Sequence, residues 1–215
     1  MRVHLWLVLV SLFLATSVSE GAPEPNVDDT HRSDLTATTR VPIRLYTAVT
    51  NFSADDQRIA LAVAEEALST ASVNVAWTIC EPGACLTLSP SALRVRIVQS
   101  PDSGQQDARV LGHALIDSRE HTGVLATVFI DRTRKLAGDL NIDHRVLLGR
   151  TIAHEVGHLL LATATHGNAG LMREVWSRDE LLGTHRDDWT FDPIDAAAIR
   201  ERLARTPSGR SRGAS

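Results

Sequence analysis

The run HEVGH at residues 154–158 lies inside the apolar stretch LLGRTIAHEVGHLLLATATH and constrains the fold more than any other feature of the chain. Apolar side chains recur there at helical spacing, at Leu148, Ile152, Val156 and Leu159. Asp143 suits the N-cap position, so residues 144–162 are predicted to form a long, largely buried helix. Two histidines and a glutamate on a buried helix are costly unless they have a partner.

The spacing of the two histidines indicates what that partner is. His154 and His158 are four residues apart, so on a helix both imidazoles project from one face and can bind a single Zn²⁺. Glu155 then lies beside the metal without binding it. A carboxylate in that place can take a proton from zinc-activated water and later deliver it to a leaving amine. The pattern predicts peptide hydrolysis; the alternative is a helix whose histidines find hydrogen-bond partners in the core.

A catalytic zinc ion usually has three protein ligands and keeps a fourth position for water. The nearest candidate for the third ligand is His166, which follows His158 by eight residues. If the helix ends near Ala162 or Thr163, the chain can turn back and bring His166 to the metal from the opposite side. The alternative for His166 is an exposed loop histidine.

These residues resemble the metzincin clan of zinc metallopeptidases, whose motif HExxHxxGxxH is followed by a methionine-containing turn beneath the metal. His154, Glu155 and His158 match the first half of that motif, and Met172 in the sequence GLM is similar to the Met-turn methionine. The resemblance implies a zinc endopeptidase in which His154, His158 and His166 bind Zn²⁺. Glu155 would act as general base and then as general acid, and Met172 would be structural.

The chain departs from the metzincin motif after its second histidine. The family's glycine falls at Leu161 and its third histidine at Ala164, so the third histidine of this chain comes two residues late. The bend that the glycine normally allows must be made differently, and we expect a slightly longer helix followed by the loop Thr163–Thr165.

Two other interpretations stay open. In a gluzincin-like site the third ligand is a glutamate from a later helix, here Glu174 or Glu180, although neither lies in the NExxxD pattern of that group. A different class of function is a secreted zinc-binding domain without catalysis, with an adhesion or inhibitory role. The intact Glu155 argues against this, because loss of that carboxylate is the simplest way to abolish hydrolysis.

The ends of the chain have their own composition. Residues 1–19 combine Arg2 with an apolar run and small residues, which is typical of a secretory signal peptide and predicts a secreted or periplasmic protein. The apolar run is short for a membrane span, so no stable membrane association is expected, and an uncleaved anchor is the alternative. Residues 20–40 and 206–215 are predicted to be a flexible leader and a flexible tail, since neither can bury much apolar surface.

Residues 41–205 are predicted to form one metallopeptidase-like domain. Strands are expected at residues 41–50, 73–79, 93–98, 111–117 and 124–130, and helices at residues 53–70, 144–162, 177–182 and 193–204. The fold class is therefore α/β (α+β): a mixed twisted sheet of about five strands with a backing helix and the zinc helix, followed by a small helical C-terminal subdomain. By resemblance the 111–117 strand is the antiparallel edge of a substrate cleft, with His113 and Ala114 as candidate cleft residues; a plain edge strand is the alternative.

Cysteine usage and charge limit the partners. Cys80 and Cys85 flank a Pro-Gly turn, and in a chain with a signal peptide such a pair predicts a disulfide. The net charge is −4 and the arginines form no basic stripe, which argues against nucleic acid as a partner. The expected partner is a protein or peptide substrate, and the chain is expected to be a monomer.

Overall fold

The computed structural model describes residues 40–205 except 48, 50, 81–84, 86–91, 102–109, 118 and 184. The predicted signal peptide, nearly all of the leader and the tail lie outside these residues, so the boundaries of those segments stay predictions. Among the described residues, no helix combines the length and hydropathy needed to cross a bilayer.

The described elements alternate between strands and helices in the first half and are helical in the second. The strands are β1 (Arg40–Thr47), β2 (Asn74–Cys80), β3 (Leu93–Val98), β4 (Gly112–Asp117) and β5 (Thr122–Phe129). The helices are α1 (Ala54–Ser69), α2 (Ile130–Leu140), α3 (His144–Leu161), α4 (Arg178–Leu182) and α5 (Pro193–Arg205), and a 3₁₀ helix at Arg186–Trp189 precedes α5.

The five strands form one mixed sheet in the order β2-β1-β3-β5-β4. All neighbours pair in parallel except β4, which pairs antiparallel with β5 and lies at the edge. Alternate residues of β1, namely Val41, Ile43 and Leu45, are buried on the face toward the helices. This period of two is what a strand with one core face requires. The predicted fold class and the antiparallel edge strand are confirmed.

The core lies between this sheet and the helices α1 and α3. Nearly every residue of α3 from Leu147 to Leu160 is buried, with α1 on one side and β4 and β5 on another. Gly149 permits the close approach of α1, since a Cβ atom there would lie 2.4 Å from the carbonyl oxygen of Ala60. Gly123 does the same for β5, where a Cβ atom would lie 2.4 Å from the Cα atom of Leu159. The histidine helix is thus fixed on several sides.

The helix α2 was not predicted. The sequence predicts a strand through Ile130 and then α3, but β5 ends at Phe129 and α2 begins at Ile130 without a loop. Phe129 at the N-cap makes no side-chain capping hydrogen bond, so no start signal marks the helix. Its buried positions are Ile130, Thr133 and Ala137, and Leu136 and Leu140 also pack against the core. The 3₁₀ helix at Arg186–Trp189 was not predicted either. The other elements lie within a few residues of the predicted bounds.

The predicted disulfide between Cys80 and Cys85 is present at the end of β2. It closes a small loop at the strand that lies at the opposite edge of the sheet from β4.

Candidate metal centre

The helix α3 places His154 and His158 one turn apart in the interior. Asp143 caps its N-terminus by accepting a hydrogen bond from the backbone N–H of Arg145, as the sequence predicts. Only 7% of His154 and 4% of His158 is exposed. Because α3 is packed on several sides, both imidazoles are held in fixed positions.

The chain reverses immediately after α3. The helix ends at Leu161, where the metzincin glycine would fall, and Ala162 takes the left-handed conformation with φ of 50°. The backbone N–H of Ala162 donates to the carbonyl oxygen of His158, which closes the helix. Within the loop that follows, the Thr163 hydroxyl accepts a hydrogen bond from the backbone N–H of Thr165. The bend is therefore made by an alanine at residue 162, one residue after the position of the metzincin glycine and directly before the loop Thr163–Thr165.

The bend brings the third histidine to the other two. The Nε2 atom of His158 lies 3.1 Å from Nε2 of His154 and 3.2 Å from Nε2 of His166. These three side chains form a cluster that can hold a metal ion, with one ligand atom from each within 4.8 Å of the others. His166 is exposed, so the cluster opens to solvent on one side.

Hydrogen bonds at Nδ1 orient the Nε2 atom of each buried ring toward the cluster. The Nδ1 atoms of His154 and His158 lie 2.8 Å from the carbonyl oxygens of Leu171 and Thr163. A carbonyl only accepts, so each Nδ1 carries the proton and each neutral ring presents its Nε2 lone pair to the cluster. Lone pairs that face each other repel, and a cation between them removes that repulsion. Tetrahedral Zn²⁺ with nitrogen ligands at about 2.0–2.1 Å would hold them about 3.3 Å apart, which fits these distances.

The protonation state also suits metal binding. Burial lowers the pKa of His154 to about 4, and the hydrogen bond to Leu171 only partly opposes this effect. Burial also lowers the pKa of His158. Both rings are therefore neutral at pH 7, which is the form of imidazole that binds metal.

Glu155 lies between α3 and the edge strand β4. Its Oε1 atom is close to Gly112, and its buried Oε2 atom has no hydrogen-bond partner within the described part of the chain. Burial raises the pKa of Glu155 to about 8. A cation at the adjacent histidines would favour the charged carboxylate and oppose this effect. A buried carboxylate oxygen without a partner in the described residues, on the helix that carries two of the three clustered histidines, fits a metal site that contains water.

Met172 is buried against α3. A Cβ atom on Gly157 would lie 2.5 Å from the Met172 sulfur, so helix and methionine are in direct contact. The backbone N–H of Gly167 donates to the carbonyl oxygen of Met172 at 2.9 Å, which ties the loop after His166 to the turn. Gly170 has φ of 64°, which favours glycine in this turn.

The other candidate ligands lie outside the cluster. Glu180 pairs with Arg173 at 2.5 Å and accepts a hydrogen bond from the backbone N–H of Ser177, and Glu174 is exposed. His113 is exposed on β4 and contacts the ring of Phe129. Its neighbour Ala114 is half-buried and alternates with it, so the two side chains lie on opposite faces of the strand.

Sequence reasoning missed two features of the site. Gly112 gives Glu155 its space, and the sequence carries no sign of this because the contact joins separate elements. The second feature is Trp176, whose ring lies 5.6 Å from that of His154. An aromatic residue shortly after the methionine turn was the only available signal.

Comparison with known proteins agrees on the fold. The sequence matches no protein-family model and no curated protein. The structure is similar to the crystal structure of archaemetzincin from Methanopyrus kandleri, with a TM-score of 0.51 and 16% identity over 77% of this chain and 97% of that chain. At this identity the likeness concerns the fold. The chain thus shares the mixed α/β fold of that structure, and it carries a three-histidine cluster formed by α3 and the loop that follows it.

Proposed function

We propose that the protein is a secreted zinc-dependent endopeptidase. The observation that carries this proposal is the convergence of three histidine Nε2 atoms at the helix that also bears the buried carboxylate of Glu155. The likeness to archaemetzincin supports the same class of chemistry through the fold, and the apolar run in residues 1–19 supports secretion.

In this proposal His154, His158 and His166 would hold Zn²⁺, and the cluster opens to solvent at the exposed His166. Zinc bound there supplies Lewis-acid activation of water and of the scissile carbonyl. The Leu171 and Thr163 carbonyls keep the two buried rings in the binding tautomer.

Glu155 moves the proton. Its carboxylate takes a proton from the attacking water and then gives it to the amine of the departing peptide, so the same residue serves as general base and general acid. The free lone pairs of Oε2 are available for that proton. Burial between α3 and β4 limits the carboxylate to one position.

The edge strand β4 is where a peptide is proposed to bind. It is the last strand of the sheet and lies against Glu155 through Gly112. An extended substrate can pair with such an edge through main-chain hydrogen bonds, which places its scissile bond close to the carboxylate. Main-chain pairing is independent of side-chain identity and suits an endopeptidase.

The proposal is tested by cleavage of a diverse peptide library with the zinc-loaded protein lacking residues 1–19. Cleavage is expected to stop on chelation, to return when Zn²⁺ is added back, and to stop in Glu155→Gln. The matched control is Glu174→Gln, which makes the same change at an exposed carboxylate close to the methionine turn and should cleave as the wild type does.

Three outcomes would contradict the proposal in different ways. Cleavage by Glu155→Gln would remove Glu155 from the mechanism. Loss of zinc in Glu174→Gln would favour a glutamate ligand. A protein that binds zinc and cuts nothing would favour a binding domain.

A further inference from the structure

Trp176 lies against the metal-binding face of α3. Its ring centroid is 5.6 Å from that of His154, with the two planes at 89°. The indole N–H donates to the carbonyl oxygen of Leu171 at 3.3 Å. The same oxygen accepts the hydrogen bond from Nδ1 of His154 at 2.8 Å. One carbonyl therefore joins the tryptophan to the imidazole.

Hydrogen bonds at both the carbonyl oxygen and the backbone N–H of Leu171 fix this carbonyl group. A carbonyl oxygen has two lone pairs, so it can accept from the indole and the imidazole together. The backbone N–H of Leu171 donates to the carbonyl oxygen of Thr190 at 2.8 Å, which holds the other side of the residue. With its acceptor fixed and the indole in perpendicular contact with it, the ring of His154 has little freedom to turn away from the cluster.

Trp176 packs against a second aromatic residue, Trp189, which in turn contacts a side chain of α3. The rings of Trp176 and Trp189 lie 5.2 Å apart at 70°, and Trp189 is buried. The guanidinium of Arg150 lies 3.6 Å above the Trp189 ring. Arg150 precedes His154 by one helical turn, so the contacts form a closed path from α3 through both tryptophans and back to His154.

We propose that Trp176 is a positioning residue for His154, and that its indole N–H and ring set the orientation of that imidazole and thereby the affinity of the site for zinc. This inference rests on the proposed zinc site. Outer groups that orient a ligand typically change metal affinity by about 10- to 100-fold when they are removed.

Two variants separate the contributions of Trp176. Trp176→Phe keeps an aromatic ring against His154 and removes the donor to Leu171, and we expect a zinc dissociation constant about 10-fold higher. Trp176→Ala removes ring and donor, and we expect a larger increase. The matched control is Trp77→Phe. Trp77 is half-buried on β2, at the far edge of the sheet, and its Nε1 atom has no hydrogen-bond partner in the described residues.

The experiment measures the zinc dissociation constant by competition with a chromophoric chelator, and records the visible spectrum of the cobalt-loaded proteins. Circular dichroism of each metal-free protein checks that it is folded. The expected result is weaker zinc binding and an altered cobalt spectrum in Trp176→Phe, with both unchanged in Trp77→Phe. A purely packing role would lower the melting temperature and leave these two readouts at the wild-type values.

The outcomes distinguish a failure of this inference from a failure of the proposed zinc site. Wild-type affinity and spectrum in Trp176→Phe would overturn the positioning role and leave the zinc site standing. An equal loss of affinity in Trp77→Phe would also overturn it, since the effect would then be general destabilisation. A wild-type protein that binds no zinc would overturn both, because no ligand would need positioning.

Discussion

The carboxylate of Glu155 occupies the space in which a side chain at Gly112 would lie. A Cβ atom built on Gly112 would be 2.7 Å from Oε1 of Glu155 and 2.8 Å from the carbonyl oxygen of Thr127. The edge strand therefore reaches the proposed catalytic residue only because residue 112 has no side chain. This contact sets the position of Glu155 relative to any peptide bound along β4.

Gly112→Ala is expected to reduce peptide cleavage while zinc stays bound. The methyl group must displace either the carboxylate or the strand, and a displacement of about 1 Å typically costs about 100-fold in rate. The measurement is kcat/KM together with zinc content. Gly138→Ala is the control, because nothing lies within 4 Å of a Cβ atom there. Full activity in Gly112→Ala would show that this contact does not position Glu155.

The bend after α3 predicts a stabilising substitution at Ala162. Its φ of 50° places an alanine in the left-handed region, which is unfavourable by about 1–2 kcal/mol for a residue with a Cβ atom. Glycine relieves this cost. Because glycine also makes the unfolded chain more flexible, part of the gain is lost, and Ala162→Gly should be more stable by about 0.5–1 kcal/mol.

Urea unfolding measures this difference. The control Ala197→Gly, at an exposed position inside α5, should change stability in the opposite direction by about 1 kcal/mol. If Ala162→Gly is less stable than the wild type, the left-handed conformation does not carry the cost assigned to it.

The N-cap of α3 predicts a pH-dependent contribution to stability. Hydrogen bonds from the Arg145 side chain lower the pKa of Asp143 to about 2, below the usual value of about 3.9. A carboxyl group whose pKa is lower in the folded protein stabilises the fold above its unfolded pKa and loses that effect as the pH falls toward the folded pKa. The window therefore lies between about pH 5 and pH 2.

Asp143→Asn removes the charge and keeps an oxygen that can cap the helix. Because 36% of the Asp143 side chain is exposed, solvent screening limits the expected loss at pH 7 to about 0.5–1 kcal/mol. The difference from the wild type in free energy of unfolding should shrink as the pH is lowered from about 7 toward 3. A difference that stays constant over this range would mean that the charge contributes nothing.

The local pattern of apolar residues and caps was enough to predict most of the helices and strands. The alternation in β1 and the apolar spacing in α3 are strong because each element has one face in the core. Asp143 marked the start of α3 through a cap that the structure contains, and Ser53 caps α1 in the same way. The helix α2 was missed because no capping side chain marks its start and it follows β5 without a loop.

Local pattern also predicted only those site residues that lie on one element. His154, Glu155 and His158 are neighbours on one helix, so their spacing placed them together. His166 required a bend that the sequence does not mark, since an alanine occupies the left-handed position where glycine is usual. Gly112 and Trp176 act through contacts between separate elements, and periodicity within one element carries no information about such contacts.

The zinc content of purified protein after extensive dialysis tests the central claim most directly, because every proposed step depends on three histidine ligands. We expect about one zinc ion per chain in the wild type and in His185→Ala, whose histidine is exposed and lies outside the cluster. His166→Ala should lose most of its zinc. A wild-type protein without zinc, or a His166→Ala variant that retains it in full, would contradict the three-histidine centre.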